Sequence, residues 1–169
     1  TRRSSDLRMV SQASKPILLV KQPVRQAYHM LLVPVDFSPS SLASIRMAQA
    51  VAPKADIVLM HAFDVPFESR LRLANVNEDI INHYRVVARQ KAQKDLLALR
   101  EQAGLSTGKT RFVVVHGDAS QGVLEQEQVF DCDLIVMGKH GKNLLEELIV
   151  GSVTKKVLAE SQCDVLVSV

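Results

Sequence analysis

From residue 30 to the C-terminus, short runs rich in Val, Ile and Leu alternate with longer segments of helical period, and few folds accommodate that alternation. Five runs read as strands: residues 30–35, 57–61, 111–115, 134–137 and 165–169. They are close to continuously apolar, as strands covered on both faces must be. The gaps between them are long enough for helical crossovers, which parallel strands require. The expected fold is therefore α/β: an open, Rossmann-like, five-stranded parallel sheet with helices on both faces. Right-handed crossovers leave few windings, and the order adopted here is 3-2-1-4-5, numbering the runs along the chain.

The helical segments carry their own punctuation. Ser38 and Pro39 read as an N-cap and first helical residue; Leu42, Ile45, Ala48 and Ala52 then share one face, and Pro53 ends the helix. Residues 78–103 place Ile81, Ala88, Ala92, Leu96, Leu99 and Ala103 on one stripe, with Gly104 as the stop. Asp118 or Ser120 can cap a helix carrying Val123, Leu124 and Phe130, and a last helix spans about 152–161 with Val153, Val157 and Leu158 inward. Residues 66–77 mix Phe67, Leu71 and Leu73 with charges, lack a clean period, and read as an irregular connection or flap.

Composition narrows the function classes. The net charge of +3 is spread over helix-like segments, and aromatic residues make up only 4% of the chain, so a nucleic-acid partner is not expected. No apolar run approaches the roughly 18 residues of a membrane span, and the first residues lack the order of a signal peptide. The expectation is a cytoplasmic protein with no membrane partner. Cys132 and Cys163 fit no zinc or redox spacing and are expected as buried thiols.

A switch in winding direction opens a crevice at the carboxyl ends of the first and fourth strands, bounded by residues 36–39 and 138–151. The second of these loops holds Gly138, Gly141, Gly151 and Ser152. Glycines let main-chain N–H groups approach an anion, and the helix start from Ser152 to Thr154 adds unsatisfied donors with partial positive charge. The same glycines would also serve simply as turn formers; their convergence opposite Asp36 at a switch point favours the phosphate reading. Lys139, His140 and Lys142 add positive charge beside it, either as secondary phosphate contacts or as solvated side chains. Glu146 and Glu147 are solvated turn residues or recruiters of Mg²⁺. His61 and His116 read as structural, and no nucleophile is assigned. Neither G-x4-G-K-[S/T] nor G-x-G-x-x-G after the first strand is present.

Gly138-x2-Gly141-x9-Gly151-Ser152 resembles the nucleotide motif of the universal stress protein family, and Val33 to Ser38 resembles that family's first strand. Residues 133–138 and 151–154 are similar as well, so the likeness spans residues 30–169. It implies the adenine nucleotide alpha hydrolase-like sandwich and a bound ATP or related adenine nucleotide, any Mg²⁺ being carried by the phosphates. By the same resemblance, adenine lies against main chain near Pro34, Val35 and Ala62, and Asp36 faces the ribose or base. Met137 and Gly138 line the sugar and α-phosphate, while Gly141, Gly151, Ser152 and Val153 hold the β- and γ-phosphates. The implied function is a nucleotide-binding stress-response regulator and dimerisation module. The alternatives are a nucleotide-independent dimerisation module or a slow ATP hydrolase.

The first 29 residues are not a featureless leader. Residues 5–13 have helical character and 16–21 read as a strand; an offset of 148 residues sets Ile17-Leu18-Leu19 on Val165-Leu166-Val167 and Arg3 on Gly151. Residues 1–21 are thus expected to be the last helix and strand of a preceding similar domain and 22–29 a linker, the alternative being an unrelated amphipathic tail, followed by a nucleotide-binding domain over 30–169. The resemblance implies pairing through last strands, so strand 16–21 is expected to lie antiparallel to strand 165–169 of its own or a neighbouring chain, with a homodimer contact through these strands.

Overall fold

The computed structural model of the chain describes residues 2–23, 27–139 and 150–169. Its elements are α1 (Arg2–Gln12), β1 (Ile17–Leu19), β2 (Met30–Pro34), α2 (Pro39–Val51), β3 (Asp56–Phe63), α3 (Glu68–Leu73), α4 (Glu78–Ala103), β4 (Thr110–His116), α5 (Ala119–Val129), β5 (Leu134–Gly138), α6 (Ser152–Glu160) and β6 (Asp164–Ser168). The strands form one sheet in the order β1-β6-β5-β2-β3-β4. β2 runs parallel to β3 and β5, and the outer pairs β3–β4 and β5–β6 are also parallel.

The expected five-stranded, all-parallel sheet is corrected by the structure: there are six strands, and the additional one, β1, lies antiparallel on β6. The physical reason is an edge. Without β1, the last strand would present a row of unpaired main-chain groups, and residues 17–19 supply the partner. Lys21 then fastens the segment, donating from Nζ to Leu158 O at 2.8 Å and to Ser161 O at 2.9 Å. The Asp164 carboxylate receives the Lys21 N–H at 2.7 Å, the Gln22 N–H at 3.1 Å and the Tyr28 hydroxyl at 2.7 Å.

The strands alternate strictly between two cores. Leu31, Val33, Leu59, Leu134, Val136 and Leu166 pack with Ile45 and Ala48 of α2 and Leu96 and Leu99 of α4. Leu32, Val58, Met60, Ile135, Val165 and Val167 pack on the other face with Val10 of α1, Val123 of α5, and Val157 and Leu158 of α6. Period-two alternation with both faces covered explains why the runs look uniformly apolar in sequence. Cys132 and Cys163 are buried, and burial pushes the Cys132 thiol up to about 12 and Cys163 higher still.

Residues 66–77, expected as irregular, contain α3. Its determinant is charge: Glu68 is 9% exposed, and its carboxylate accepts Arg85, Arg72 at 3.2 Å and His116 Nε2 at 2.9 Å. Ser38 occupies the N-cap position of α2, but its hydroxyl donates to Asp36 rather than closing the helix end.

Leu32 is fully buried in the central strand. Leu32→Ala is expected to lower unfolding stability by about 2–5 kcal/mol, as large-to-small core changes do. Urea denaturation followed by circular dichroism checks this; a loss well under about 1 kcal/mol would mean that this core is not formed.

Candidate functional site

β2 lies between β3 and β5, and the chain leaves β2 through α2 on one face and β5 towards α6 on the other. Their carboxyl ends consequently part. A cavity of about 390 Å³ opens there, within the size of small-molecule sites, roughly 300–1,000 Å³.

One wall comes from the end of β2. Val35 donates its N–H to Met60 O at 2.8 Å, and its carbonyl accepts His61 Nδ1 at 2.8 Å. A carbonyl acceptor requires Nδ1 to carry the proton, so the His61 ring has a defined orientation, with Phe37 packed on it at 4.4 Å between centroids. Asp36 Oδ1 accepts the Ser38 N–H at 3.1 Å, the Ser38 hydroxyl at 2.5 Å and the Ser41 hydroxyl at 2.8 Å. The Asp36 carboxylate thus ties the end of β2 to the start of α2.

The opposite wall is the start of α6. The first intrahelical bond runs from Lys155 N–H to Gly151 O at 2.9 Å, so the N–H groups of Ser152, Val153 and Thr154 have no intrahelical acceptor. The N-cap is Gly151, which has no side chain to satisfy them. All three residues line the cavity. The Thr154 hydroxyl donates to Gly138 O at 3.0 Å, and the Gly151 N–H to Lys139 O at 3.0 Å, fixing helix start to strand end. The start of a helix, with its partial positive charge, and the Asp36 wall line the same cavity, an arrangement suited to an anion on one side.

Pro34, Val35, Asp36, Ala62, Met137, Gly138, Gly151, Ser152 and Val153 all line this cavity. Lys139 does not; it is 3% exposed, and its Nζ donates to Ala13 O at 3.1 Å. His140 and Gly141 lie outside the described residues, as do Lys142, Glu146 and Glu147. Met60, His61, Ser40, Ser41, Ala119, Val123 and Thr154 also line the cavity. The signal for His61 was its place at the end of a strand beside β2. Ala119 follows Asp118, which caps α5 on the Gln121 N–H at 2.8 Å. The Ser120 hydroxyl bond holds the Asp118 carboxyl below the usual range.

Asp64, Glu68 and His116 also converge, with ligand-type atoms within 4.8 Å of one another. Arg85 and Arg72 neutralise Glu68, so the group is an ion-pair hub joining α3, α4 and β4 rather than a cation site. The Arg85 hydrogen bond holds the Glu68 carboxyl below its ordinary 4.5, with His116 adding to it. A lowered folded-state pKa contributes stability above the unfolded value and loses it as pH falls. The advantage of wild type over Glu68→Gln in urea midpoint should therefore be full at neutral pH and fade below 4.5; an advantage that grows on acidification would contradict the hub.

The profile of the Universal stress protein family matches residues 27–168. The chain belongs to the universal stress protein family. The universal stress protein MJ0577 of Methanocaldococcus jannaschii is 25% identical over 152 residues, covering 83% of this chain and 94% of the relative. Its solved structure superposes with a TM-score of 0.70 over 85% of this chain and 96% of its own. A putative universal stress protein from Pseudomonas aeruginosa, 20% identical, shares the fold at a TM-score of 0.66 over 96% of this chain and 55% of its own. A universal stress protein solved in complex with cAMP shares it at 0.54 with 24% identity, over 84% of this chain and 97% of its own. Among the described residues, no helix is long and apolar enough to cross a membrane.

Proposed function

We propose that the cavity binds an adenine nucleotide, ATP foremost, and that the domain acts as a nucleotide-dependent regulatory and pairing module in a stress response. The observation that carries this is the uncapped first turn of α6: three main-chain donors line a 390 Å³ cavity opposite Asp36. The phosphates lie at Ser152, Val153 and Thr154, with Gly138 and Gly151 permitting close approach. The base lies towards Pro34, Val35 and Ala62. Since the Val35 N–H and one side of its carbonyl are engaged, the adenine amine uses the carbonyl's remaining lone pair. The cAMP-bound relative supports an adenine nucleotide in this fold.

The first 29 residues belong, in this reading, to a preceding copy of the same domain. The β1–β6 register supports it. Under the 148-residue offset Leu18 corresponds to Leu166, and these two are paired; Ile17 and Leu19 pair with Val167 and Val165, the counterparts of Leu19 and Ile17. Such a ladder has a local twofold axis through its central pair, as two equivalent last strands would form. The Pseudomonas aeruginosa fold, which matches nearly all of this chain with about half of its own, agrees with that organisation.

Isothermal titration with Mg²⁺-ATP tests the nucleotide reading. Binding tighter than about 1 mM is expected, weakened at least about tenfold in Gly151→Glu. A carboxylate at the N-cap suits the helix but repels phosphate, so the variant should stay folded. Equal affinity in both proteins would remove the phosphates from this helix start.

A further inference from the structure

Lys139 follows the last residue of β5, beside the glycines of the cavity, yet its side chain runs the other way. It is 3% exposed, and its ammonium rests on the carbonyl of Ala13, just past the C-terminal end of α1. A buried ammonium must have a partner, and the last carbonyls of a helix carry partial negative charge. The main chain of the same residue is held on both sides. Its N–H donates to Ser168 O at 2.9 Å, and its carbonyl accepts the Gly151 N–H at 3.0 Å. One residue thus joins the end of α1, the end of β6 and the N-cap of α6, whose next three residues line the cavity.

We propose that Lys139 is a positioning residue through which docking of α1 and β1 on the domain is linked to ligand binding in the cavity. Held by Ala13, it keeps its own carbonyl under Gly151 and so aims the first turn of α6 at the ligand. When α1 and β1 leave, the ammonium loses its acceptor, must seek water, and takes the Lys139 main chain with it. The linkage is reciprocal: a ligand that needs the ordered α6 start stabilises the docked segment. The opposite end of the segment is fastened in a related way. Ala13 corresponds to Ser161 under the 148-residue offset, and Ser161 O accepts the ammonium of Lys21. The two equivalent helix ends each receive a lysine from the other half of the pairing, Lys21 at the base and Lys139 beside the cavity. The regulator of the site is therefore the neighbouring helix–strand unit, acting through a single buried cation.

The ligand half of this proposal rests on the nucleotide reading above; the positioning half does not, and amide hydrogen exchange on the full chain separates them. Ser168 turns its carbonyl to the Lys139 N–H on β5, so Val165 and Val167 turn their main-chain groups to β1, and the Leu19 N–H is a ladder donor; Leu19→Pro removes it and undocks the edge strand, and Lys139→Met removes the ammonium. Without nucleotide, both variants should exchange the Gly151 amide about tenfold faster, within the usual range of coupling between sites. The amides of residues 58–60 should stay protected. If Lys139→Met loosens those as well, Leu19→Pro alone decides. With saturating Mg²⁺-ATP, the Ile17 and Leu19 amides of the wild type should slow by a similar factor, and those of Lys139→Met should not respond. Gly151 exchange unchanged in Leu19→Pro while β1 exchanges freely would overturn the positioning role. ATP bound to the wild type with no change at β1 would overturn the linkage. No ATP binding to the wild type would overturn the nucleotide reading, and the nucleotide-free comparison would still decide the role of Lys139.

Discussion

The structure depends on a constraint of handedness at β2. This strand is flanked by β3 on one side and β5 on the other, and right-handed crossovers then place the connecting helices on opposite faces. α2 and α4 cover one face while α5 and α6 cover the other. The carboxyl ends of β2 and β5 part for that reason, and the space between them is the cavity. Its polar features follow directly. β2 leads to Asp36, which organises the start of α2, and β5 leads towards the N-terminus of α6, whose N-cap Gly151 has no side chain. A cavity bounded by a helix start and a carboxylate-anchored wall is thus a product of topology before it is a product of particular side chains.

The same topology leaves β6 at an edge, which makes the first residues of the chain part of the domain's stability. β1 completes the sheet, Val10 enters the core against Val157 and Leu158, and Lys21 closes the end of α6. The β1–β6 ladder is centred on the Leu18–Leu166 pair.

Much of this was legible in the sequence because it is written locally. Strands buried on both faces must be apolar throughout, so β2 to β6 stand out as Val, Ile and Leu runs, and Pro39 and Gly104 mark helix ends. Gly138, Gly151 and Ser152 could be placed at the cavity from spacing and order alone. What escaped is set by contacts between distant residues. α3 depends on Glu68 meeting Arg85 and His116, which no periodicity reveals. A lysine beside phosphate-binding glycines reads as a ligand contact, yet Lys139 is claimed by a carbonyl 126 residues away. His61 gains its place from β3 lying beside β2, where its ring meets the Val35 carbonyl.

The central claim is that an adenine nucleotide lies in this cavity with its phosphates on the first turn of α6. A crystal structure of the protein grown with Mg²⁺-ATP tests it most directly. The account predicts phosphate oxygens within hydrogen-bonding distance, about 3 Å, of the Ser152, Val153 and Thr154 N–H groups, and the base beside Val35 and Ala62. Nucleotide bound elsewhere on the molecule, or lying in the cavity with its phosphates turned away from α6, would contradict it.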